Sequence, residues 1–593
     1  MKYTHAARRY SFCVFFICLF SITCSGPSHD STSMQQSGTT GIPRLIKQGS
    51  ATQLVVDGEP YLILGGELHN SSSSSLEYMK PIWPKLTQMN LNTVLAPISW
   101  ELLEPEEGAF DFTLVDGLIN DARSHNLRLV FLWFGSWKNT FSSYVPGWVK
   151  EDIERFPRVM RSSGEGTERL TPLSETNRDA DARAFAALMR RIREIDGDRH
   201  TVLMVQVENE PGCIPEARDY SETANQAYRG PVPEELLDYM LQNREHLVPE
   251  FRKLWEGAGA RASGTWEEVF GKQAVTEDLF MAWHYACYID AVVQAGKEKY
   301  PLPMFVNAAL IRPNYPPGRY NSGGPLPHSF DIWKVGGPHI DFFAPDIYFT
   351  NFIEWTEMYT RGGNPLFIPE TYGDARGVAN AFYTYAKLDG IGFCPFGIES
   401  LDRFSFEENE APDNPEDLPL AIGYEVLRQL TPLIIENMGT DRMTGVLLEE
   451  NDEAAHFPMG DYMMDCYKSG RGSMLPGANA PGPLASWAKQ PAPKQAPPLR
   501  IPQRETVNRS GALFISLGPD EYLIAGSGPL TVEFTPNTPG PPLGGISFID
   551  EGNYVNGAWV PGRRLNGDEN AQGQRFTLRD PSRIYRVKAY RYR

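Results

Sequence analysis

From Gln53 to about Leu433 the chain repeats one pattern: a short run of β-branched and aromatic residues, then a longer amphipathic stretch. Strand and helix periods alternating in this way predict βα units and a parallel sheet rather than hairpins. The strand candidates are Tyr61 to Leu68, Thr93 to Ile98, Arg128 to Phe134, Thr201 to Val207, Met304 to Asn307, Phe342 to Ile347, Leu366 to Pro369 and Gly392 to Phe396. Eight parallel strands are the number that closes a (β/α)8 TIM barrel. Helices are expected between them over Leu76 to Met89, Leu114 to Ser124, Asp179 to Ile195, Glu277 to Lys297 and Gly377 to Leu388, with Asn177-Arg178-Asp179 capping the third. Pro211 to Thr276 is too long for a simple βα loop and carries helical stretches at Val232 to Gln242 and Glu250 to Glu256. An insertion of that kind belongs on the catalytic rim of a barrel.

Two of these strands run straight into a carboxylate. Val205-Gln206-Val207-Glu208-Asn209-Glu210-Pro211 ends the fourth and Leu366-Phe367-Ile368-Pro369-Glu370-Thr371-Tyr372 ends the seventh, so Glu210 and Glu370 are expected on the carboxyl-terminal rim. A pair of carboxyls there suits glycoside hydrolysis, in which one acts as a protonated acid and the other, about 5–5.5 Å away in retaining enzymes, as nucleophile. Asn-Glu-Pro alone is common in loops, and a lone Glu at a strand end often caps the next helix. The conjunction of the two at strands four and seven carries the assignment. Asn209, just before Glu210, is placed to bond the hydroxyl beside the anomeric carbon.

Composition narrows the alternatives. A formal charge of -19 and no basic block outside the first residues disfavour nucleic acid as partner, whereas 12 Trp and 26 Tyr suit a neutral sugar. The 10 His include no His-Glu-x-x-His, and Cys213, Cys287, Cys394 and Cys466 form no Cys-x-x-Cys pair, so neither a metal hydrolase nor a zinc site is expected. No metal or organic cofactor is called for. At the amino terminus, Lys2, Arg8 and Arg9 precede the apolar run Phe12 to Phe20, a secretory signal peptide over 1–24 that is too short to span a membrane. The end of that run, Ser21-Ile22-Thr23-Cys24-Ser25, resembles a bacterial lipoprotein cleavage site with Ser21 where Leu is usual. Lipidation of Cys24 follows from it, with plain secretion as the alternative, and a periplasmic or outer-membrane-anchored location in which the membrane is met through the lipid alone. Residues 25–48 read as a polar tether.

The barrel is expected over 49–433. Beyond it, 434–593 changes to period-two runs at Gly511 to Leu517, Glu521 to Ala525, Leu530 to Phe534, Gly545 to Glu551 and Arg583 to Tyr592. They predict a C-terminal antiparallel β-sandwich, with a Pro/Gly-rich segment over 469–503 as a long loop.

Four segments together carry a family resemblance: Gly65-Gly66-Glu67-Leu68-His69, Trp100-Glu101-Leu102-Leu103-Glu104-Pro105-Glu106-Glu107-Gly108, Val205 to Glu210, and Ile368-Pro369-Glu370. The series resembles the β-galactosidases of glycoside hydrolase family 35, in clan A, across the whole barrel, and the C-terminal part resembles the extra β domain of a bacterial branch. The resemblance implies that Glu210 is the general acid/base and Glu370 the nucleophile of a retaining, exo-acting enzyme on terminal β-galactosyl residues, such as those of plant cell-wall glycans. Where commoner members carry a sugar-contacting Tyr and Glu, this chain aligns Pro97 and Asn139. Asn139, Lys138 and Glu67 are then candidates to rebuild the sugar contacts. Tyr348, ending the sixth strand, is placed to bond Glu370, and Asn307, ending the fifth, to face the pocket. Trp133 and Trp137 are candidate stacking platforms, and Glu104-Pro105 reads as a structural turn. Other readings stay open: a clan A enzyme for another sugar (β-glucosidase, β-arabinosidase or agarase-type), or a non-catalytic surface glycan-binding lipoprotein.

Overall fold

The computed structural model describes residues 41–401, 414–468 and 509–593. The signal peptide, Cys24, most of the tether and the Pro/Gly-rich 469–503 lie outside the described residues.

All eight strand candidates form parallel strands: Ile63–Glu67, Thr93–Ser99, Arg128–Lys138, Val202–Asn209, Met304–Ala309, Phe342–Ile347, a seventh in two pieces, and Gly392–Phe393. The seventh breaks at Pro369, which has no N–H to donate. Its first piece, Phe367–Ile368, pairs with strand eight, while Glu370–Thr371 pairs with strand six in the register Asp346↔Glu370. Strand eight in turn pairs with strand one, Gly392 opposite Ile63, so the sheet closes on itself.

The strands bury both faces. Val130, Leu132 and Phe134 of strand three point inward with Leu95, Phe305, Phe342 and Phe367, while Leu129, Phe131 and Trp133 point outward to the helices. At the amino-terminal end, an antiparallel sheet of Arg44–Gln48, Ala51–Val56 and Glu59–Tyr61 inserts Leu54 and Val56 into that interior. Residues 44–48 therefore belong to a strand rather than to the expected tether, because pairing with Ala51–Val56 satisfies their backbone.

The helices lie where the amphipathic stretches predict, with shifted ends. The stretch from Leu76 to Met89 is two helices, Leu76–Met79 and Ile82–Gln88, parted at Pro81. The helix expected from Asp179 begins at Glu175, capped by Ser174, whose side chain accepts from Asn177 N; Asn177 itself is buried inside it. The insertion after strand four holds four helices, of which Glu222–Arg229 and Trp266–Phe270 lie outside the predicted stretches.

Among the described residues after Pro419–Asn437 the chain turns to antiparallel structure in two sheets, one of six strands and one of four. All five predicted strands are present. Five more escape the period-two pattern: Met443–Leu448, Ala454–Met459, Tyr462–Lys468, Ala558–Arg564 and Arg575–Leu578. In the larger sheet Ala512, Phe514, Tyr522 and Ile524 face the smaller sheet, whereas Leu513, Ile515, Leu523 and Ala525 join the barrel's helical layer. Their main support there is Ala375–Lys387, the helix after strand seven, which is buried from Gly377 to Ala386. Gly511 permits this approach, since a Cβ there would stand 2.8 Å from the Ala379 Cα.

Candidate active site

Strand three does not stop at Phe134. It runs on to Lys138, bulges, and pairs Lys138 with Asn209 beyond the barrel proper. Asn139 N donates to the Asn209 carbonyl at 3.1 Å, so the loop after strand three and the end of strand four are locked edge to edge. The lock holds unfavourable backbone: Glu208, Glu210, Asn139 and Thr140 have φ of 63°, 47°, 51° and 71°. Such left-handed residues are strained and persist where their surroundings over-determine them. Here the Glu208 carboxylate supplies the constraint, accepting from Ser136 N at 3.1 Å and Trp137 N at 2.6 Å. Beside it Asp181, from the helix Glu175–Asp196, accepts from Ser136 Oγ at 2.6 Å and Trp133 Nε1 at 2.8 Å. Burial and then the Asp181 charge hold the Glu208 carboxyl well above the usual carboxylate range.

Above this brace the ends of strands four, six and seven bring Glu210, Asp346 and Glu370 together, with an oxygen of each within 4.8 Å of the others. Three carboxylates so close could surround a cation. The buried Lys138 ammonium already provides positive charge to them: burial works to lower its pKa, and Glu370, Glu210, Glu67 and Asp346 outweigh that and raise it.

The surroundings of the two principal carboxyls differ. Glu370 accepts from Tyr348 Oη at 3.1 Å on one oxygen and from Asn209 Nδ2 at 3.3 Å on the other. Asn209 is aimed by Lys138, whose Nζ donates to its Oδ1 at 3.0 Å and so turns its amide nitrogen toward Glu370. Glu210 accepts from Asn139 Nδ2 and shares a hydrogen bond with Asp346. Burial, then the charge of Glu370, push the Glu210 carboxyl up to about 7, against the opposing pull of Lys138, Asp346 and Asn139. Asn307 ties the cluster together: its Oδ1 accepts from Glu210 N at 2.9 Å and its Nδ2 donates to Asp346 Oδ2 at 2.7 Å. Asp346 is itself raised well above the carboxylate range by burial and by Glu370, Glu210 and Glu67.

Glu67 closes the floor at the end of strand one. It is fully buried, neither of its oxygens has a partner, and burial followed by the charge of Glu370 raises its pKa strongly. Tyr348, Asn209, Lys138, Asn139, Asn307 and Glu67 are thus all brought to one place. Pro97 is buried on strand two, its carbonyl accepting from Ser73 Oγ at 2.6 Å. Glu104 is a turn clamp, accepting from Trp100 Nε1 and Gly108 N, each at 2.8 Å.

The two tryptophans are a correction. Trp133 lies at an outward position of strand three, and both it and Trp137 are fully buried. Trp137 donates to the Leu170 carbonyl at 3.1 Å and packs its ring on Tyr285 and Tyr288. Neither ring has a face for a sugar. Asp346 is the residue that sequence reasoning passed over, although Asp346-Ile347-Tyr348 puts it two positions before Tyr348 and hence on the same face of the strand.

Residues 73–266 match the family model described as Beta-galactosidase, that of glycoside hydrolase family 42. The match takes in strands two to four, with Glu210, and replaces the family 35 resemblance with a family 42 one inside the same clan. A second model, described only as a domain of unknown function (DUF5597), matches residues 420–577. Over 138 residues the chain is 28% identical to Beta-galactosidase Bga of Halorubrum lacusprofundi, covering 23% of this chain and 18% of that one. Over 177 residues it is 25% identical to the β-galactosidase of Xanthomonas manihotis, covering 28% and 27%. The chain therefore spans less than a third of the length of these curated relatives. Among solved structures it superposes on the β-galactosidase from Bacillus circulans sp. alkalophilus with a TM-score of 0.41 and 14% identity, over 63% of this chain and 57% of that one.

Proposed function

We propose that this chain is a retaining, exo-acting β-galactosidase working by double displacement, with Glu370 as nucleophile and Glu210 as acid/base. The observation that carries the reading is the unequal setting of two carboxyls whose oxygens lie within 4.8 Å. So close an approach is in keeping with the roughly 5–5.5 Å between carboxyls of retaining enzymes rather than the roughly 6.5–9.5 Å of inverting ones.

Glu370, steadied by the Tyr348 hydroxyl and the Asn209 amide, attacks the anomeric carbon. Glu210, with its pKa raised to about 7, delivers its proton to the departing glycosidic oxygen. The resulting glycosyl ester is opened by water, whose proton passes back to Glu210 and whose oxygen enters on the face the leaving group left, so configuration is retained. Asn209 also meets the 2-hydroxyl, and the unpartnered Glu67 oxygens accept from further sugar hydroxyls, the contact a buried carboxyl without a partner requires. Export by residues 1–24 and anchoring through Cys24 would put this activity outside the cytoplasm.

Glu370→Gln is expected to lower kcat on an aryl β-galactoside by a factor on the order of 10⁴ or more with the thermal unfolding midpoint little changed. Glu210→Ala should keep fast glycosylation with a good leaving group and, in azide, yield the β-glycosyl azide. Near-normal turnover by Glu370→Gln, or an α-azide product, overturns the roles. A second reading, another β-glycoside on the same machinery, draws on Asn139, an uncharged side chain that bonds Glu210 beside the sugar site. A panel of aryl glycosides ranks the sugars, and glycan binding without any turnover would mark a binding protein.

A further inference from the structure

Lys138 and Asn139, which bond to Asn209 and Glu210, line one edge of a longer depression. Beside Asn139, the residue bonded to Glu210, a cleft of about 760 Å³ opens between the loop after strand three and residues 150–168, with Asn70 after strand one at its side. Phe141 and Ile153 line it with 42% and 66% of their surfaces in water. Asn70 and Tyr144 form part of its wall and also line a second recess of about 290 Å³. This recess lies among the loop after strand one, Ser99 at the end of strand two, and the short helix Trp100–Leu103. Glu101 on the recess and Lys150 on the cleft are joined by an ion pair of 2.9 Å, so the two share a continuous rim.

The direction of this depression has chemical meaning. In the proposed reaction the acid faces the leaving group, and the cleft opens from the acid's own hydrogen-bond partner. Its lining also has a chemistry. In the recess Asn70 Oδ1 and Ser99 Oγ are shut off from water and have no hydrogen-bond partner, a costly arrangement unless a ligand supplies one. Most charges on the walls are offset: Glu101 by Lys150, Lys138 by the carboxylate cluster, and Arg158, which has one unpaired guanidinium nitrogen, by nearby Glu168, with Asp111 at the recess taking a backbone N–H from Thr113. Exposed aromatic and aliphatic faces beside unpaired neutral polar atoms match the CH faces and hydroxyls of an uncharged sugar.

We propose that the cleft and the recess hold two successive neutral sugar residues on the leaving-group side, the first against Phe141 and the second against Asn70 and Ser99. The natural substrate is then an oligosaccharide or polysaccharide branch with at least two sugars behind the scissile bond. This rests on the β-galactosidase reading and extends it to the substrate's length.

The test compares kcat/KM for an aryl β-galactoside, β-galactobiose and β-galactotriose in each linkage, for wild type, Phe141→Ala and Asn70→Ala. With the best linkage, the triose should exceed the biose by about tenfold. Asn70→Ala should cost about fivefold to tenfold on the triose alone, as loss of one hydrogen bond would. Phe141→Ala should impair both oligosaccharides, and Asn70→Ala should not change the aryl substrate by more than about twofold. Equal rates for biose and triose in every linkage, or an Asn70→Ala loss common to all three substrates, overturns the proposal. Failure to cleave any aryl galactoside would instead sink the activity reading, and calorimetric titration then decides on the cleft. Affinity that rises with chain length and falls in Asn70→Ala supports it, and affinity independent of length overturns it.

Discussion

Glu210 and Glu370 carry the same side chain, and the fold separates them by what it places against each. Glu370 receives two fixed donors, Tyr348 and Asn209, while Glu210 receives burial, a neighbouring charge and the Asp346 carboxyl. With the Glu210 pKa at about 7, kcat/KM should fall as pH rises through that value, because the acid loses its proton. Burial and the charges of Glu370, Glu210 and Glu67 raise the Asp346 pKa, and its hydrogen bond with Glu210 pulls the Glu210 pKa down, as a donor to the Glu210 anion does. Removing the donor in Asp346→Ala should therefore raise the Glu210 pKa and move the alkaline limb up by roughly one pH unit, while Asp346→Asn, which keeps an N–H donor, should leave it nearly in place. A downward shift in Asp346→Ala would refute the donor role. The same raised pKa has a thermodynamic side. A carboxyl that binds its proton more tightly folded than unfolded contributes stability below its unfolded pKa, near 4.3, and loses it as pH climbs through about 7. Glu210→Gln should thus stabilise the fold relative to wild type by on the order of 2–3 kcal/mol at pH 8 and much less at pH 5, which denaturant melts at the two values would measure.

At the scale of elements, the barrel strands were legible because each is a β-branched run followed by an amphipathic stretch. Their extensions were not. Strand three ends as a hydrophobic run at Phe134, yet pairing carries it to Lys138, since Ser136 and Trp137 are held by carboxylates from elsewhere in the chain, a contact no local pattern encodes. That missed extension explains the misreading of Trp133 and Trp137: aromatics near a rim suggested platforms, while strand parity already turned Trp133 to the helices. Asp346 was equally readable by parity with Tyr348, but nothing local distinguishes a buried Asp from a solvated one. The larger C-terminal sheet hid two of its strands for the converse reason, as Met443–Leu448 is apolar on both faces and Ala558–Arg564 is largely exposed. Gly135 is the narrow point of the brace, since a Cβ would stand 2.7 Å from Glu208 Oε1 and 2.8 Å from Asp181 Oδ1. Gly135→Ala should cost about 1–3 kcal/mol of stability by overpacking, and should lower kcat more than KM changes, because the Glu208 shift propagates to Asn209 and Glu210. An unchanged kcat in a destabilised variant would show that the brace supports the fold without setting the site.

For the molecule as a whole, the antiparallel sheets complete the barrel's helical layer. The helix Ala375–Lys387 follows directly from the strand that carries Glu370, and its residues from Gly377 to Ala386 are all buried, so it has no face fit for water. Met443, Leu447, Leu513, Ile515, Leu523 and Ile584 belong to the same apolar cluster as that helix and Pro419–Asn437. Burying six such side chains at about 1.5–3 kcal/mol each contributes roughly 10 kcal/mol, as large as the whole net stability of a typical domain, about 5–15 kcal/mol. A chain ending at residue 437 keeps every carboxylate of the site, yet it should be insoluble or lack a cooperative thermal transition, and supplying residues 438–593 as a separate chain should recover soluble, active complex. A truncated barrel that melts cooperatively within a few degrees of the full chain, with its kcat on an aryl galactoside intact, would show that the sheets are an appendage. Loss of folding on truncation would place them among the supports of Glu370, because the helix they cover begins four residues after Thr371.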